Sequence, residues 1–184
     1  MNRQSKALVT SLALLAVFVG SSAFADGVVL ETPIAYAKDA SVNERVRTEC
    51  HVEDLLERHI STYMQKVQRG ATGSASGAAV LKIEIAHVMG VGGGSWSGPK
   101  AITVDATLMV DGKVKRQGKV SRWSNGGFWA GLKGTCGILE RDAKAIGKDL
   151  SRWVKDPRYV MPIEAEPPKE AASAASSAAE ADEH

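Results

Sequence analysis

Histidine and nearby serine side chains are the residues that could support catalysis or metal binding. None of the histidines, which are His51, His59, His87 and His184, has the H-E-x-x-H spacing of a zinc site. His59 falls on the apolar side of a helical pattern, where packing is its expected role. His87 shares the parity of Ile83 and Ile85 near the end of a strand pattern, and it remains a candidate for a small hydrolase. No constellation of acid, base and nucleophile supports that hypothesis, and we predict neither a metal nor a cofactor.

The two cysteines, Cys50 and Cys136, are predicted to form a disulfide. Export of the chain, argued from its first residues, would place them in an oxidising compartment, which favours pairing. The bridge would close a long loop, and in the chain-entropy model this is worth roughly 4–5 kcal/mol. The alternative is a catalytic or redox thiol, but the sequence has no C-x-x-C motif.

The first 25 residues have the pattern of a signal peptide. Arg3 and Lys6 precede an apolar run over 7–20, and small residues stand at positions −3 and −1 of a cut between Ala25 and Asp26. The alternative is an uncleaved anchor, although the apolar run is short for a span of about 20 residues. No cysteine follows for lipid attachment. We expect a periplasmic or secreted protein without a transmembrane segment after cleavage.

The last residues, 159–184, are predicted to be a disordered tail because they are rich in Ala, Ser, Pro and Glu. Six acidic residues and Lys169 give this tail a net charge of −5. The whole chain carries +2, and without Arg3 and Lys6 it carries 0, so the body 26–158 has about +5. This modest charge and the predicted export both argue against a nucleic-acid partner.

The body 26–158 has the length of one domain, and its patterns predict an α+β fold. The predicted order is β-α-β-β-β-α, with an antiparallel sheet of about four strands and two helices on one face. The predicted elements are a strand in 28–38 that Pro33 confines to an edge or splits, a helix from the cap Thr48 to Gly70, strands at 80–89 and 101–110, a fourth strand ending before 123, and a helix over 136–154.

Two of these patterns give finer predictions. The turn at 111–112 allows a two-residue loop with Val110 opposite Lys113, or a three-residue loop, which we prefer because it keeps the apolar residues on one face. The preferred register gives the pairs Val110–Val114 and Val104–Val120. The last helix has a buried stripe formed by Cys136, Leu139, Ala143, Ile146, Leu150 and Trp153. A second face carries Glu140, Lys144, Lys148 and Arg152, which we interpret as solvated or as a docking strip for the acidic tail or an anionic surface.

Four aromatic residues, Trp96, Trp123, Phe128 and Trp129, lie in two glycine-rich loops. Alternating strand directions bring the loops 90–99 and 123–135 to the same end of the sheet as both cysteines. The first loop is followed by a strand and lacks G-K-[ST], so it is not a phosphate-binding loop. The rings either cap a small core or form an apolar patch, rimmed by Arg122 and Lys133, that binds a protein, peptide, glycan or lipid.

The sequence resembles small exported bacterial proteins known only as domains of unknown function. The likeness covers about 45–156 and rests on three segments, R-T-E-C, W-S-N-G-G-F-W-A-G-L-K-G-T-C and A-K-A-I-G-K-D-L-S-R-W-V. The element order is also similar to that of envelope auxiliary lipoproteins, which carry a lipid-attachment cysteine that this chain lacks. The resemblance implies a periplasmic α+β domain and transfers no catalytic residue.

The leading functional hypothesis is a non-enzymatic periplasmic binding or envelope accessory protein that uses the Trp/Gly-rich end. One alternative is the small periplasmic hydrolase using His87. Another is a structural envelope protein that acts through its tail.

Overall fold

The chain is described here from a computed structural model over residues 27–64, 67–70, 79–90, 99–124 and 134–164. The elements of this part are, in chain order, β1 (Val28–Glu31), β2 (Ala35–Val42), α1 (Glu44–Cys50), α2 (Val52–Tyr63), β3 (Val67–Gly70), β4 (Ala79–Gly90), β5 (Lys100–Val110), β6 (Lys113–Ser124) and α3 (Gly134–Lys155). The predicted α+β class is confirmed. The predicted four strands, two helices and order β-α-β-β-β-α are wrong in detail, because the described part has six strands and three helices.

The sheet has an antiparallel half and a parallel half. The long strands β4, β5 and β6 form an antiparallel meander, as predicted. On the other side, β1 and β2 both pair with β4 in parallel, and β3 pairs with β1 in parallel. The helices α1 and α2 return the chain between β2 and the next strands, which is the crossover that parallel pairing requires. A fully antiparallel sheet was therefore a wrong expectation.

Pro33 splits the first predicted strand, which is one of the two roles considered for it. The Thr32–Pro33 peptide bond is cis. Before it, β1 pairs with β4 from Val28 opposite Ala79 onwards, and after it, β2 pairs further along the same edge, up to Val42 opposite Val88. Proline has no N–H to donate to a ladder, so a break at this position leaves both flanking strands paired.

The first predicted helix is divided, and its predicted cap is wrong. Asn43 caps α1 through a side chain that accepts a hydrogen bond from the backbone N–H of Arg45 at 2.9 Å. Thr48 lies inside α1, where its hydroxyl donates to the carbonyl of Glu44 at 3.0 Å. His51, at φ 45°, separates α1 from α2. The segment that ends at Gly70 is a strand rather than the last helical turn, because it gains a distant partner in β1.

The β5–β6 hairpin combines the two registers that the sequence allowed. Asp111 and Gly112 both have positive φ, 51° and 69°, so the loop has two residues and Val110 lies opposite Lys113. The preferred pair Val110–Val114 is therefore wrong. A register shift follows between Leu108 and Met109, and beyond it the strands pair as preferred, with Val104 opposite Val120. A β-bulge of one residue accounts for both results.

The helices pack on one face of the sheet and close a single core. The predicted stripe of α3 is confirmed, since Leu139, Ala143, Ile146, Leu150 and Trp153 are buried and Cys136 packs against them. Inward residues of β4 and β5 complete the core, among them Leu81, Ile83, Ile85, Ile102, Val104, Ala106 and Leu108.

The first residues of the predicted tail belong to the fold. The backbone N–H of Ser121 in β6 donates to the carbonyl of Pro162 at 3.1 Å, and Glu164 returns a hydrogen bond to Ser121 at 3.2 Å. Met161 is buried in the core. The folded part therefore extends to Glu164 rather than ending at 158. The few apolar residues after 158 cover the edge of the sheet at β6. The predicted signal peptide, 1–25, and residues 165–184 lie outside the described residues.

Candidate functional site

The cysteine pair is confirmed and marks one end of the sheet. Cys50, at the end of α1, is bonded to Cys136, near the start of α3, with an S–S distance of 2.03 Å. At the same end Gly90, Lys100 and Ser124 lie side by side on β4, β5 and β6. The segments 91–98 and 125–133, which lie outside the described residues, are therefore joined to the sheet at this end, which we call the Gly/Trp end.

Of the four aromatic residues in the predicted site, the described part contains Trp123. The other three, Trp96, Phe128 and Trp129, lie outside the described residues, as does Lys133. Side chains alternate along β6, so Trp123 faces away from the helices while its neighbours Arg122 and Ser124 face them. Trp123 is partly exposed and does not belong to the hydrophobic core. Trp123 therefore lies outside the core that the described residues form.

On this outer face Trp123 belongs to an apolar row that crosses three strands. It lies opposite Ala101 of β5, which lies opposite Met89 of β4. Ala101 is fully buried although it points away from the helices, and Met89 is partly exposed. We refer to Met89, Ala101 and Trp123 as the apolar row.

A second, polar row runs beside the apolar row. His87 of β4 lies opposite Ser41 of β2 on one side and opposite Thr103 of β5 on the other. Thr103 in turn lies opposite Ser121 of β6. A register shift between Ile85 and His87 moves His87 to the outer face, so the expectation that it shares the face of Ile85 is wrong. Thr103 Oγ1 donates to Ser121 Oγ at 2.9 Å. The structure therefore brings His87 next to hydroxyl groups that the sequence left unplaced.

Arg122 lies on the inner face and binds the C-terminal segment. Its Nε donates to Asp149 Oδ2 at 2.8 Å, and a terminal nitrogen bonds to the Glu164 carboxylate. The hydrogen bond to Asp149 raises the pKa of Arg122 above its ordinary value. The hydroxyl of Tyr159 donates to Asp149 Oδ1 at 2.7 Å, and Glu164 accepts from the N–H of Trp123 at 3.0 Å. Arg122 and Trp123 thus occupy opposite faces rather than one rimmed patch.

Sequence reasoning missed a buried polar cluster beneath the Gly/Trp end. Ser124 Oγ bonds to Asp142 Oδ1 and accepts from Arg141 Nε at 3.2 Å. Asp142 is 2% exposed, and its Oδ2 has no hydrogen-bond partner among the described residues. Burial raises the pKa of Asp142 to about 7. Lys100, fully buried beside Ser124 in the sheet register, has its pKa lowered by burial.

The sequence did carry a signal for two members of this cluster. Lys100 shares the even parity of Ile102 and Val104, and Asp142 directly precedes Ala143 of the apolar stripe. A carboxyl group with a pKa near neutrality could exchange a proton at neutral pH. At 2% exposure, however, Asp142 offers a substrate no access in this conformation.

Two further observations on the described part concern metal-binding groups and helix hydrophobicity. It contains no group of three His, Cys, Asp or Glu residues arranged to hold a metal ion. None of its helices is both long and apolar enough to cross a membrane.

Comparison with known proteins assigns no family. No protein-family model matches the sequence, and no curated protein matches it. Similar solved structures include the PelC dodecamer from Paraburkholderia phytofirmans, with 12% identity, a TM-score of 0.41 and coverage of 67% of this chain and 86% of that chain. A minor lipoprotein from Acinetobacter baumannii has 13% identity, a TM-score of 0.42 and coverage of 77% and 97%.

A third similar structure is a Xanthomonas campestris protein labelled DUF330, with 12% identity, a TM-score of 0.43 and coverage of 70% of this chain and 83% of that chain. The neighbours thus include lipoproteins and a protein with a DUF label. All of these TM-scores are below 0.5, so these likenesses indicate no function for this chain.

Proposed function

We propose that this protein is a non-enzymatic binding or accessory protein of the bacterial envelope, and that it binds its partner at the Gly/Trp end. The observation that supports this most is the orientation of Trp123, which lies on the outer face of the sheet and away from the core. A large aromatic side chain that does not contribute to the core is a frequent source of binding energy.

The chemistry beside Trp123 indicates the kind of group that the surface would accept. The apolar row supplies the Met89 side chain and the tryptophan ring, and the adjacent polar row supplies hydroxyl groups and His87. A partner that presents an apolar group flanked by hydrogen-bonding groups would match both rows. Peptides, glycans and lipid headgroups with their first methylenes all meet this description. We propose that the partner belongs to one of these classes.

Photo-crosslinking can test the location of the binding surface. A photoreactive residue at Met89 should crosslink a discrete partner in an envelope extract, whereas the same residue at Val114 should not. Val114 is the matched control because it is 56% exposed and lies at the far end of β6. Equal crosslinking from both positions would contradict the proposal.

Substitution of two tryptophans separates binding from folding. Trp123→Ala should abolish the Met89 crosslink while leaving the free energy of unfolding within about 1 kcal/mol, since the ring is outside the core. Trp153→Ala removes a ring that is 2% exposed and should cost roughly 3–5 kcal/mol of stability. If Trp123→Ala destabilised the protein as much as Trp153→Ala, the ring would be structural.

A second candidate function is the small periplasmic hydrolase using His87. The observation that favours it is the cross-strand row in which His87 lies between Ser41 and Thr103. Such an enzyme would hydrolyse some member of a panel of ester, amide and phosphoester substrates, and His87→Ala would abolish that turnover. Full turnover in the His87→Ala variant would eliminate this candidate.

The proposed location in the envelope has a direct test of its own. Intact mass measurement of the protein recovered from the periplasm should give a chain that begins at Asp26. Recovery of the full-length chain in the membrane fraction would instead indicate an uncleaved anchor.

A further inference from the structure

The exposed side of α3 is entirely basic over its last four turns. From Arg141 onwards, every exposed position of the helix is a lysine or an arginine. Arg141 contacts Ser124, and the remaining positions form what we call the basic ridge, which consists of Lys144, Lys148, Arg152 and Lys155. The helical periodicity sets the ridge opposite the buried stripe, so it is the most solvent-accessible line of α3.

The fold does not require this concentration of charge. Like charges four residues apart, as at Lys144, Lys148 and Arg152, destabilise a helix. Among the described residues, no ion pair joins an acidic side chain to any ridge residue. Two ridge residues are instead held over aromatic rings, with Lys148 Nζ 5.5 Å from the centre of Tyr63 and Arg152 Cζ 4.6 Å from that of Tyr159. A solvated helix face gains from acids interspersed with bases, so a face without them favours an anionic partner.

The chain itself supplies a matching anionic segment. Residues 165–184 contain five acidic residues, Glu166, Glu170, Glu180, Asp182 and Glu183, and a single basic residue, Lys169. The segment is attached at Glu164, whose carboxylate bonds to Arg122, and Arg122 also bonds to Asp149 of α3. The attachment point is therefore one side chain away from the helix that carries the ridge.

The ridge is within reach of the first acidic residues of the segment. Extended chain spans at most about 3.3–3.6 Å per residue, so Glu170 can lie roughly 20 Å from Glu164. Lys144 and Lys155 are eleven residues apart, which is about 17 Å at 1.5 Å per helical residue. Since Glu164 is joined through Arg122 to Asp149, which adjoins Lys148, a span of this length allows Glu170 to reach the ridge.

We propose that the acidic segment 165–184 docks on the basic ridge and is its occupant in the isolated protein. The tether raises the effective concentration of the segment to the millimolar range, so contacts that are individually weak suffice for partial occupancy. The complementary charge of a segment attached to the same chain favours this occupant over a membrane surface. Docking keeps other polyanions off the ridge until they displace the segment.

Zero-length carbodiimide crosslinking of the full chain tests the contact. At low salt, tail carboxylates should form amides with Lys144, Lys148 or Lys155 about five-fold more often than with Lys113 and Lys115, which are exposed lysines of β6. In about 1 M NaCl, where screening shortens the electrostatic range to about 3 Å, this preference should disappear. Equal crosslinking of both lysine groups at low salt, or no tail crosslinks at all, would overturn the proposal.

A matched pair of charge reversals shows whether the ridge acts as a unit. Lys148→Glu with Arg152→Glu should reduce tail crosslinks at the unchanged Lys144 and Lys155 about five-fold, because the intervening potential is reversed. Lys113→Glu with Lys115→Glu makes the same change in net charge on β6 and should leave those crosslinks unchanged. Circular dichroism confirms that both variants remain folded. Equal losses in the two variants would mean that net charge, rather than the ridge, attracts the segment.

Vesicle binding distinguishes the segment from a membrane as the occupant. Neutralising the five tail acids as amides (Glu166→Gln, Glu170→Gln, Glu180→Gln, Asp182→Asn, Glu183→Gln) should raise binding to phosphatidylglycerol-containing vesicles about ten-fold at low salt, since the ridge becomes accessible. Identical vesicle binding by the wild type and the neutralised variant would contradict docking and identify the ridge as an open membrane-facing surface. The Trp123→Ala variant should retain all tail crosslinks, so this contact is separable from the Gly/Trp end.

Discussion

Replacing Asp142 with asparagine should remove a pH-dependent loss of stability from this protein. The Asp142 carboxyl is 2% exposed, bonds to Ser124 through Oδ1 and leaves Oδ2 without a partner in the part of the chain that the structure describes. Burial is the main reason that its pKa rises from 3.8 to about 7, because the ionised form loses its hydration. Asparagine has nearly the same shape and copies the neutral, protonated acid.

The magnitude follows from the difference in pKa between the folded and unfolded states. Below pH 3.8 the acid is protonated in both the folded and the unfolded state, so it does not lower the free energy of unfolding. As the pH rises, the unfolded chain ionises first, and the folded state becomes progressively less stable until about pH 7. At about 1.4 kcal/mol per pH unit, the full penalty is on the order of 4 kcal/mol, which is an upper estimate because the site can relax.

The assay is urea denaturation of wild type and Asp142→Asn at intervals between pH 4 and pH 8. The free-energy difference between the two should be small at pH 4 and grow in favour of the variant to several kcal/mol at pH 8. Burial also lowers the pKa of His59, which gives a pH dependence of the opposite sign. That contribution is present in both proteins and cancels in the difference. A difference that stays within about 0.5 kcal/mol over this range would mean that Asp142 titrates normally.

For three further variants the structure fixes the sign of the change in stability. Gly147→Ala should destabilise by about 1–2 kcal/mol although alanine favours helices, because the new Cβ would lie 2.9 Å from the backbone carbon of His59; a gain in the urea midpoint would show that α2 and α3 can separate. Cys50→Ala with Cys136→Ala should cost about 3–5 kcal/mol, because the bridge joins residues 86 apart in sequence; a loss below about 1 kcal/mol by urea denaturation would contradict this. Glu164→Gln should cost about 1–2 kcal/mol and raise amide exchange at Ser121, since it weakens the bonds to Arg122 and to the N–H of Trp123; unchanged exchange would mean that the C-terminal segment is held by Met161 alone.

The elements predicted correctly are those whose signal lies within a short stretch of chain. The alternation in β4 and β5 and the stripe of α3 follow from local periodicity, and the structure reproduces both. The segment ending at Gly70 was predicted wrongly because its hydrophobic spacing is compatible with a helix. It forms a strand because it pairs with β1, which is far away in sequence. The two β-bulges were not predicted, for a related reason. Each changes which face a side chain takes without changing the pattern itself, as at His87.

The strand ends and the cysteine pair of the Gly/Trp end were predicted to lie together, whereas the outward orientation of Trp123 was not predicted. The meeting of the two loop ends and both cysteines followed from strand directions and chain order, and the structure bears out the disulfide. The orientation of Trp123 depends on the bulge in the β5–β6 hairpin, which sets the side-chain alternation of β6. Arg122 illustrates the same limit, because its partners Asp149 and Glu164 are far apart in sequence.

By itself, the sequence determined the α+β class, the cysteine pair, the long strands and the last helix. These features rest on periodicity, on cysteine number and on chain direction, which are local or nearly local quantities. Only the tertiary structure decided that β1 and β2 lie parallel to β4, that Trp123 faces outwards and that Asp142 loses its hydration. The physical reason is that pairing, facing and burial depend on neighbours from distant parts of the chain, whose positions no local pattern contains.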